Sequence, residues 1–385
     1  MSTSANLLAA AERIAALLAG RSAEIEATRH LPADIAKAMA RAGLYHMLTP
    51  QVCGGHELDV ASYFAIVERL ARADASAAWC CFVACTSCIV AAYLPADEAQ
   101  AIFARADLKA AGVFAPRGVA TREGDGEGDS EGKGYRVSGR WAWGSGAHNA
   151  DILVAGCRVA GDDSGAVLSV VLDRAQVALL DNWDSVGLRG SGSGEFEVHD
   201  AFVPRARTAL MLSGAALARP LYRFPLFGLL AISIAAVSSG IARLAIDALV
   251  ELAADKTPQG SRRSLAQRAA TQEAVARAEA SWRSARAFMM QAVHDAWQAA
   301  QEDAPLPVNV RRDLRLAATH LVHSSAAVVD RMYTLAGGSA VFASSPLQRC
   351  LRDVHVATQH MMVGEATWEL SGRLLLGLPT ATEML

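Results

Sequence analysis

The chain has 385 residues, of which 52% are hydrophobic, enough to bury a large core divided into two or three units. A formal net charge of -3 with no dense Lys/Arg block argues against nucleic acid or an anionic membrane as the main partner. Seven cysteines form an odd set, and Cys80, Cys81, Cys85 and Cys88 crowd one apolar segment. The pattern fits reduced, buried thiols in a cytoplasmic protein better than a disulfide framework, and a zinc reading lacks flanking polar ligands.

From the N-terminus to about Ala111 the chain is rich in Ala and Leu at helical spacing. Glu12 and Arg13 inside the first apolar run argue against a signal peptide. Ala75 to Ala96 and Phe224 to Ala242 lack charge for about the length of a membrane span. Both contain small polar residues, and Pro225 and Gly228 stand near the start of the second, so both read as buried helices of a helical core. The texture changes at Gly112. From there to Pro204 short β-branched or alternating runs are separated by Gly and Asp, which predicts a β domain. Glu123 to Gly134, EGDGEGDSEGKG, reads as a solvated hairpin loop, since its acidic spacing does not fit a calcium-binding hand. After Pro204 helical periodicity returns, with connections at Pro258 to Arg263 and at Pro305 and Pro307. The order of helices, strands and helices predicts an α+β protein, mainly α.

One stretch carries more chemistry than the rest. Leu335 to Met362, LAGGSAVFASSPLQRCLRDVHVATQHMM, joins a Gly-Gly pair to a segment bearing Arg352, Asp353, His355 and His360. Two adjacent glycines let a phosphate or a flat ring lie against the main chain. This stretch, together with AGLYHMLTPQVCGG (Ala42 to Gly55), RADASAAW ending at Trp79, GRWAWGSGAHNAD (Gly139 to Asp151) and NWDSVGLRGSGSG (Asn182 to Gly194), resembles the acyl-CoA dehydrogenase superfamily over nearly the whole chain. The details resemble its flavin-dependent monooxygenase branch, which holds the p-hydroxyphenylacetate and dibenzothiophene monooxygenases. The resemblance implies a helical N-terminal domain (1–111), a central β-barrel (112–205), a C-terminal four-helix bundle (206–385) and a homotetramer.

The dehydrogenases carry a catalytic Glu nine positions after the Arg of this signature, where this chain has Met361. One position earlier stands His360, where the monooxygenase branch places an active-site His. By residue type alone His360 is a satisfied polar group; its position gives it the role of base or stabiliser of the oxygenated flavin. His355 is a packing or supporting residue. By the same resemblance Trp143 packs on the isoalloxazine ring and Ser145 hydrogen-bonds near its N5 edge, although alone Ser145 reads as a turn serine. Phe114 and Ala115 replace a Thr-Glu pair before Pro116, leaving main-chain groups for the pyrimidine edge. Arg189 is structural. Arg262, Arg263 and Gln272 sit where the family reaches a cofactor phosphate or ribose, with solvated arginines as the equal alternative, and Gly337 and Gly338 complete that site from a neighbouring subunit. Trp79, Ser87 and Leu230 line the substrate cavity, Ser87 standing where relatives carry a His.

No G-x-G-x-x-G word follows a strand and opens a helix, so reduced flavin is expected from a separate NAD(P)H:flavin reductase. The implied reaction is hydroxylation of a small aromatic or heteroaromatic substrate by reduced FMN or FAD with O2, through a C4a-hydroperoxyflavin. Two alternatives remain: an acyl-CoA dehydrogenase or oxidase with an unrecognised base, and an inert flavin-fold assembly partner.

Overall fold

The computed structural model describes residues 2–124 and 133–385; most of the acidic glycine-rich loop lies outside them. Six helices come first: α1 (Thr3–Leu18), α2 (Ser22–Thr28), α3 (Ala33–Arg41), α4 (Val60–Ala71), α5 (Ala75–Cys88) and α6 (Ala96–Phe103). Strands follow: β1 (Ala110–Glu123), β2 (Gly134–Trp141), β3 (Ile152–Val159), β4 (Leu168–Asp173), β5 (Ala178–Leu179), β6 (Phe196–Pro204) and β7 (Thr208–Ala209). The chain ends in α7 (Pro220–Arg223), α8 (Leu226–Asp255), α9 (Ala269–Gln301), α10 (Val308–Ala336), α11 (Pro346–Thr358) and α12 (Glu365–Leu375). Local chemistry sets several boundaries. The Ser2 hydroxyl accepts the Ala5 N–H at the start of α1, and α11 opens with Ser345 as cap and Pro346 in its first turn. Gly337, at φ 53 and ψ -142, ends α10 in a conformation that only glycine adopts without strain.

Two compact units result. One holds residues up to Asp59, Trp79–Asp184 and Arg189–Arg223; the other holds Val60–Ala78, Ser185–Leu188 and Phe224–Leu385.

The first unit contains the whole sheet, in the order β5-β6-β2-β1-β3-β4-β7. β1 runs parallel to β3, and the other neighbours are antiparallel. The expected barrel is therefore corrected to an open seven-stranded sheet. Its two edge strands have two residues each, too short a ladder to carry the continuous stagger that closure demands. At the centre Trp141 is fully buried, stacks on Phe196 at 5.1 Å and donates its indole N–H to the Gly156 carbonyl at 2.8 Å. Gly118 and Gly139 face each other across β1 and β2, and a Cβ on Gly118 would stand 2.2 Å from the Trp141 ring. Glycine at this pair leaves room for the indole. All seven cysteines are buried and none forms a disulfide among the described residues; Cys81 and Cys85 both donate to the Leu44 carbonyl.

In the second unit α8, α9 and α10 each run for about thirty residues, and α10 packs against α8, α9, α11 and α12. α4 lies against α8, where Gly240 meets the Glu68 carbonyl so closely that a Cβ would stand 2.4 Å from it. A polar network pins this crossing. Glu68 accepts two hydrogen bonds from the Arg286 guanidinium at 2.8 Å and one from Ser239 Oγ at 2.6 Å. The two uncharged apolar stretches are core helices, 94% and 83% buried.

Candidate functional site

Within the first unit the word GRWAWGSG divides its two tryptophans between opposite tasks. β2 ends at Trp141, and Trp143 adopts φ 71, a left-handed conformation that a bulky residue takes only under constraint. Its ring stands 66% exposed, edge-on to Trp183 at 5.7 Å. A large apolar ring held outward at a strained position offers a platform for a flat ligand. Just beyond it Ser145 is buried and accepts the Trp79 indole N–H at 3.1 Å. Ser145 Oγ also lies 2.6 Å from Ser193 Oγ, which lies 2.6 Å from Ser191 Oγ. The structure thus brings Trp79 and Ser145 together, with Ser191 and Ser193 as further members of the cluster that the glycine-rich word had concealed.

Ser87 sits on α5 with 1% exposure, and its hydroxyl has no hydrogen-bond partner among the described residues. It lies against the start of β1: a Cβ on Gly112 would meet Ser87 Oγ at 2.7 Å. An unmet buried hydroxyl carries a desolvation cost that a ligand group removes. Phe114 and Ala115 fall in the interruption between the two registered runs of β1 with β3, between Val113 and Gly118, with Phe114 half-buried and Ala115 exposed. Their carbonyls press on Gly156.

Within the second unit Leu230 is half-buried near the start of α8, just before the buried run from Ala231 to Ala242. The Arg352-Asp353 pair has a structural task. Buried Asp353 accepts the Leu188 N–H at 2.6 Å, and Arg352 Nη1 donates to the Val186 carbonyl at 2.7 Å, so both hold the segment 185–188 against α11. Leu188 itself adopts φ 48. His355 is turned to the surface, 2.8 Å from Asp330.

His360 follows α11 in a tight turn, half-buried, with its carbonyl accepting the Val363 N–H at 2.9 Å. The Met362 N–H donates to His360 Nδ1 at 3.2 Å. Burial, aided by the nearby Arg315 charge, pushes the imidazole pKa down to about 4. The neutral ring with Nδ1 as acceptor carries its proton on Nε2. Such an imidazole donates a hydrogen bond at neutral pH and is a poor base. Met361, in the place of the dehydrogenase carboxylate, is 67% exposed.

Arg262, Arg263 and Gln272 are exposed, and Gln272 donates to the Ala266 carbonyl. Sequence reasoning missed Lys256, which ties this arm to the Gly-Gly turn within one chain. The Lys256 carbonyl accepts the Leu265 N–H at 2.7 Å, and its ammonium donates to the Ala336 carbonyl, the residue before Gly337. Gly338 has open space where a side chain would stand. A cation beside two exposed glycines suits an anion.

Two family models match the chain: acyl-CoA dehydrogenase, N-terminal domain, over residues 6–101, and acyl-CoA dehydrogenase, C-terminal domain, over residues 232–365. An indole-3-acetate monooxygenase from Pseudomonas putida is 32% identical over 97% of this chain and 95% of its own. The chain belongs to the acyl-CoA dehydrogenase family, in its flavin-dependent monooxygenase branch. A flavin-dependent monooxygenase, oxygenase subunit HsaA, from Rhodococcus jostii is 29% identical over 94% of this chain and 96% of its own. Among solved structures, XiaF from a Streptomyces species, determined in complex with FADH2 and glycerol, superposes with a TM-score of 0.89 at 25% identity, covering 98% of this chain and 96% of that one. For a member of this branch the missing dehydrogenase carboxylate is in keeping: the turn 359–364 holds no Asp or Glu, and the α8 stretch from Leu226 to Ile246 holds none either.

Proposed function

We propose that this protein is the oxygenase component of a two-component system, taking reduced FMN or FAD from a separate NAD(P)H:flavin reductase and hydroxylating a small, neutral aromatic or heteroaromatic compound with O2. The observation that carries the reading is His360, a neutral imidazole whose Nε2–H is a donor, standing beside the position of a proton-abstracting acid. Bound reduced flavin supplies two electrons to dioxygen, so that one oxygen atom enters the ring and the other leaves as water.

The residues present fit a flavin. Trp143 offers an outward ring for the isoalloxazine face, and the interrupted main chain at Phe114 and Ala115 suits its pyrimidine edge. Ser145 contributes a hydroxyl toward N5, and Arg263, Gln272, Gly337 and Gly338, joined by Lys256, suit the phosphate. Trp79, Ser87 and Leu230 take the substrate, the unmet Ser87 hydroxyl binding a neutral polar group on it. His360 donates a hydrogen bond where negative charge develops on oxygen. The relatives' names support the division of labour, since one of them is an oxygenase subunit, and an indole-3-acetate monooxygenase supports an aromatic substrate. A homotetramer in the cytoplasm is the assembly and location we assign.

Acyl-CoA dehydrogenation is the weaker reading, because it needs a carboxylate that neither the 359–364 turn nor the first five turns of α8 provide. Anaerobic titration separates the two. Tighter binding of reduced than of oxidised flavin supports the oxygenase; tightly held oxidised FAD that bleaches on adding an acyl-CoA rejects it.

A further inference from the structure

Arg315 lies within α10 at 3% exposure, among residues that otherwise form the core of the bundle. Among the described residues no carboxylate is paired with it, and burial draws its pKa down to about 10. An unpaired buried guanidinium is an expensive arrangement, and a leucine would fill the space without that cost. Its hydrogen bonds show what the charge holds. Nη2 donates to the Met362 carbonyl at 2.9 Å, and Nη1 donates to the Met384 carbonyl. Two turns further along the same helix, His323 Nε2 donates to the next carbonyl, that of Val363, at 3.1 Å. α10 therefore grips two consecutive carbonyls of the turn that begins at His360. The remaining polar groups of the turn close on His360 itself, the Val363 N–H on its carbonyl and the Met362 N–H on its Nδ1.

We propose that Arg315, assisted by His323, is a positioning residue that holds the Met362 amide against Nδ1 of His360, so that the imidazole presents Nε2–H as a donor. The consequence for the reaction rests on the proposed function, in which His360 faces the reacting oxygen. The claim about Arg315 does not. Among the described residues of the packed helices, His320 on α10 lies edge-on to Trp368, Asp353 on α11 holds Leu188 and His355 meets Asp330, Arg243 on α8 is paired with Asp247 and Glu279, and Glu365 and Glu369 stand exposed on α12. Arg315 is the charged neighbour that bears on the ring.

Nitrogen-15 NMR of the histidine side chains in the full-length protein tests this directly, with His360→Gln identifying the resonance. The parent protein should show the neutral Nε2–H tautomer from about pH 5 to about pH 8. Arg315→Met should populate the Nδ1–H tautomer and raise the titration of His360 by about one unit or more, and Arg315→Lys, which keeps a donor and a charge, should restore the parent pattern. A folded Arg315→Met protein with the parent tautomer and titration overturns the proposal. If that variant does not fold, His323→Phe carries the test: it removes one of the two grips without leaving a charge unpaired, and an unchanged tautomer overturns the proposal equally. Reduced-flavin hydroxylation measured on the same proteins keeps the two claims apart. An altered tautomer with undiminished hydroxylation supports the positioning role of Arg315 and removes His360 from the reaction. An unchanged tautomer in a protein that still hydroxylates removes Arg315 and leaves the function standing.

Discussion

The indole N–H of Trp79 donates to Oγ of Ser145 at 3.1 Å, both groups being buried. Ser145→Ala leaves that N–H without an acceptor and should cost about 1–3 kcal/mol in chemical denaturation. Trp79→Phe removes the donor, so the double variant should lose less than the sum of the single ones, by about 0.5–3 kcal/mol. Strict additivity would show that the pair is not coupled.

Trp143 should behave in the opposite way. Its ring is 66% exposed and its backbone at φ 71 is strained, so Trp143→Gly relieves strain while losing the edge contact with Trp183. Stability should stay within about 1 kcal/mol of the parent, because the two effects oppose. Reduced-flavin affinity should fall roughly tenfold, the loss of a stacked aromatic contact worth about 1.4 kcal/mol. A large loss of stability with an unchanged dissociation constant would return Trp143 to the core.

Asp353 carries the segment 185–188 through its 2.6 Å contact with the Leu188 amide. Asp353→Ala should destabilise by about 1.5–3 kcal/mol, as expected for a buried hydrogen bond to a carboxylate. Asp353→Asn keeps an acceptor oxygen and should lose clearly less. Equal losses would mean that the negative charge, not the acceptor, is what matters.

His360 makes stability depend on pH. Its folded pKa of about 4 lies below the ordinary value of about 6.5, so between these limits the unfolded chain binds a proton that the folded chain does not. Stability is therefore complete above about pH 6.5 and is lost as the pH falls toward 4, by at most about 3 kcal/mol before solvent relaxation reduces it. In His360→Gln the slope of unfolding free energy against pH should be shallower in this window. An identical slope would show that the ring is not desolvated.

Lys256 should discriminate between flavins. Lys256→Met removes the donor that caps α10 at Ala336 and should cost about 0.5–1 kcal/mol of stability. If the Gly337 turn receives a phosphate, the variant should bind reduced FMN several-fold more weakly while reduced riboflavin is unaffected. Equal weakening of both would place the phosphate elsewhere.

Much of this architecture was legible in the chain. Helical spacing, the change of texture at Gly112 and the ordered family words located the elements, and spacing from Arg352 singled out His360. What escaped depends on turns and burial. In GRWAW the alternation puts Trp141 and Trp143 on one face, yet β2 stops at Trp141 and the positive φ at Trp143 swings the second ring outward. Nothing in the residue types signals that reversal. Arg315 belongs to the word RRDLR and reads as one more solvated arginine, because charge alone does not reveal which side of a helix faces the core. The barrel was inherited from the family, whereas closure depends on edge-strand length, and here the edges are two residues long.

A hydroxylase is recognised by where the atoms of dioxygen go. The purified protein, supplied with FMN or FAD, NADH, a separate flavin reductase and a small neutral phenol or heteroaromatic compound, should be incubated under isotopically heavy dioxygen and the product weighed by mass spectrometry. One heavy oxygen atom is expected in the aromatic product, only when the reductase is present, with little product from His360→Ala. Product-free reduction of a bound flavin by an acyl-CoA, with no heavy oxygen in any aromatic compound, would contradict the hydroxylase reading.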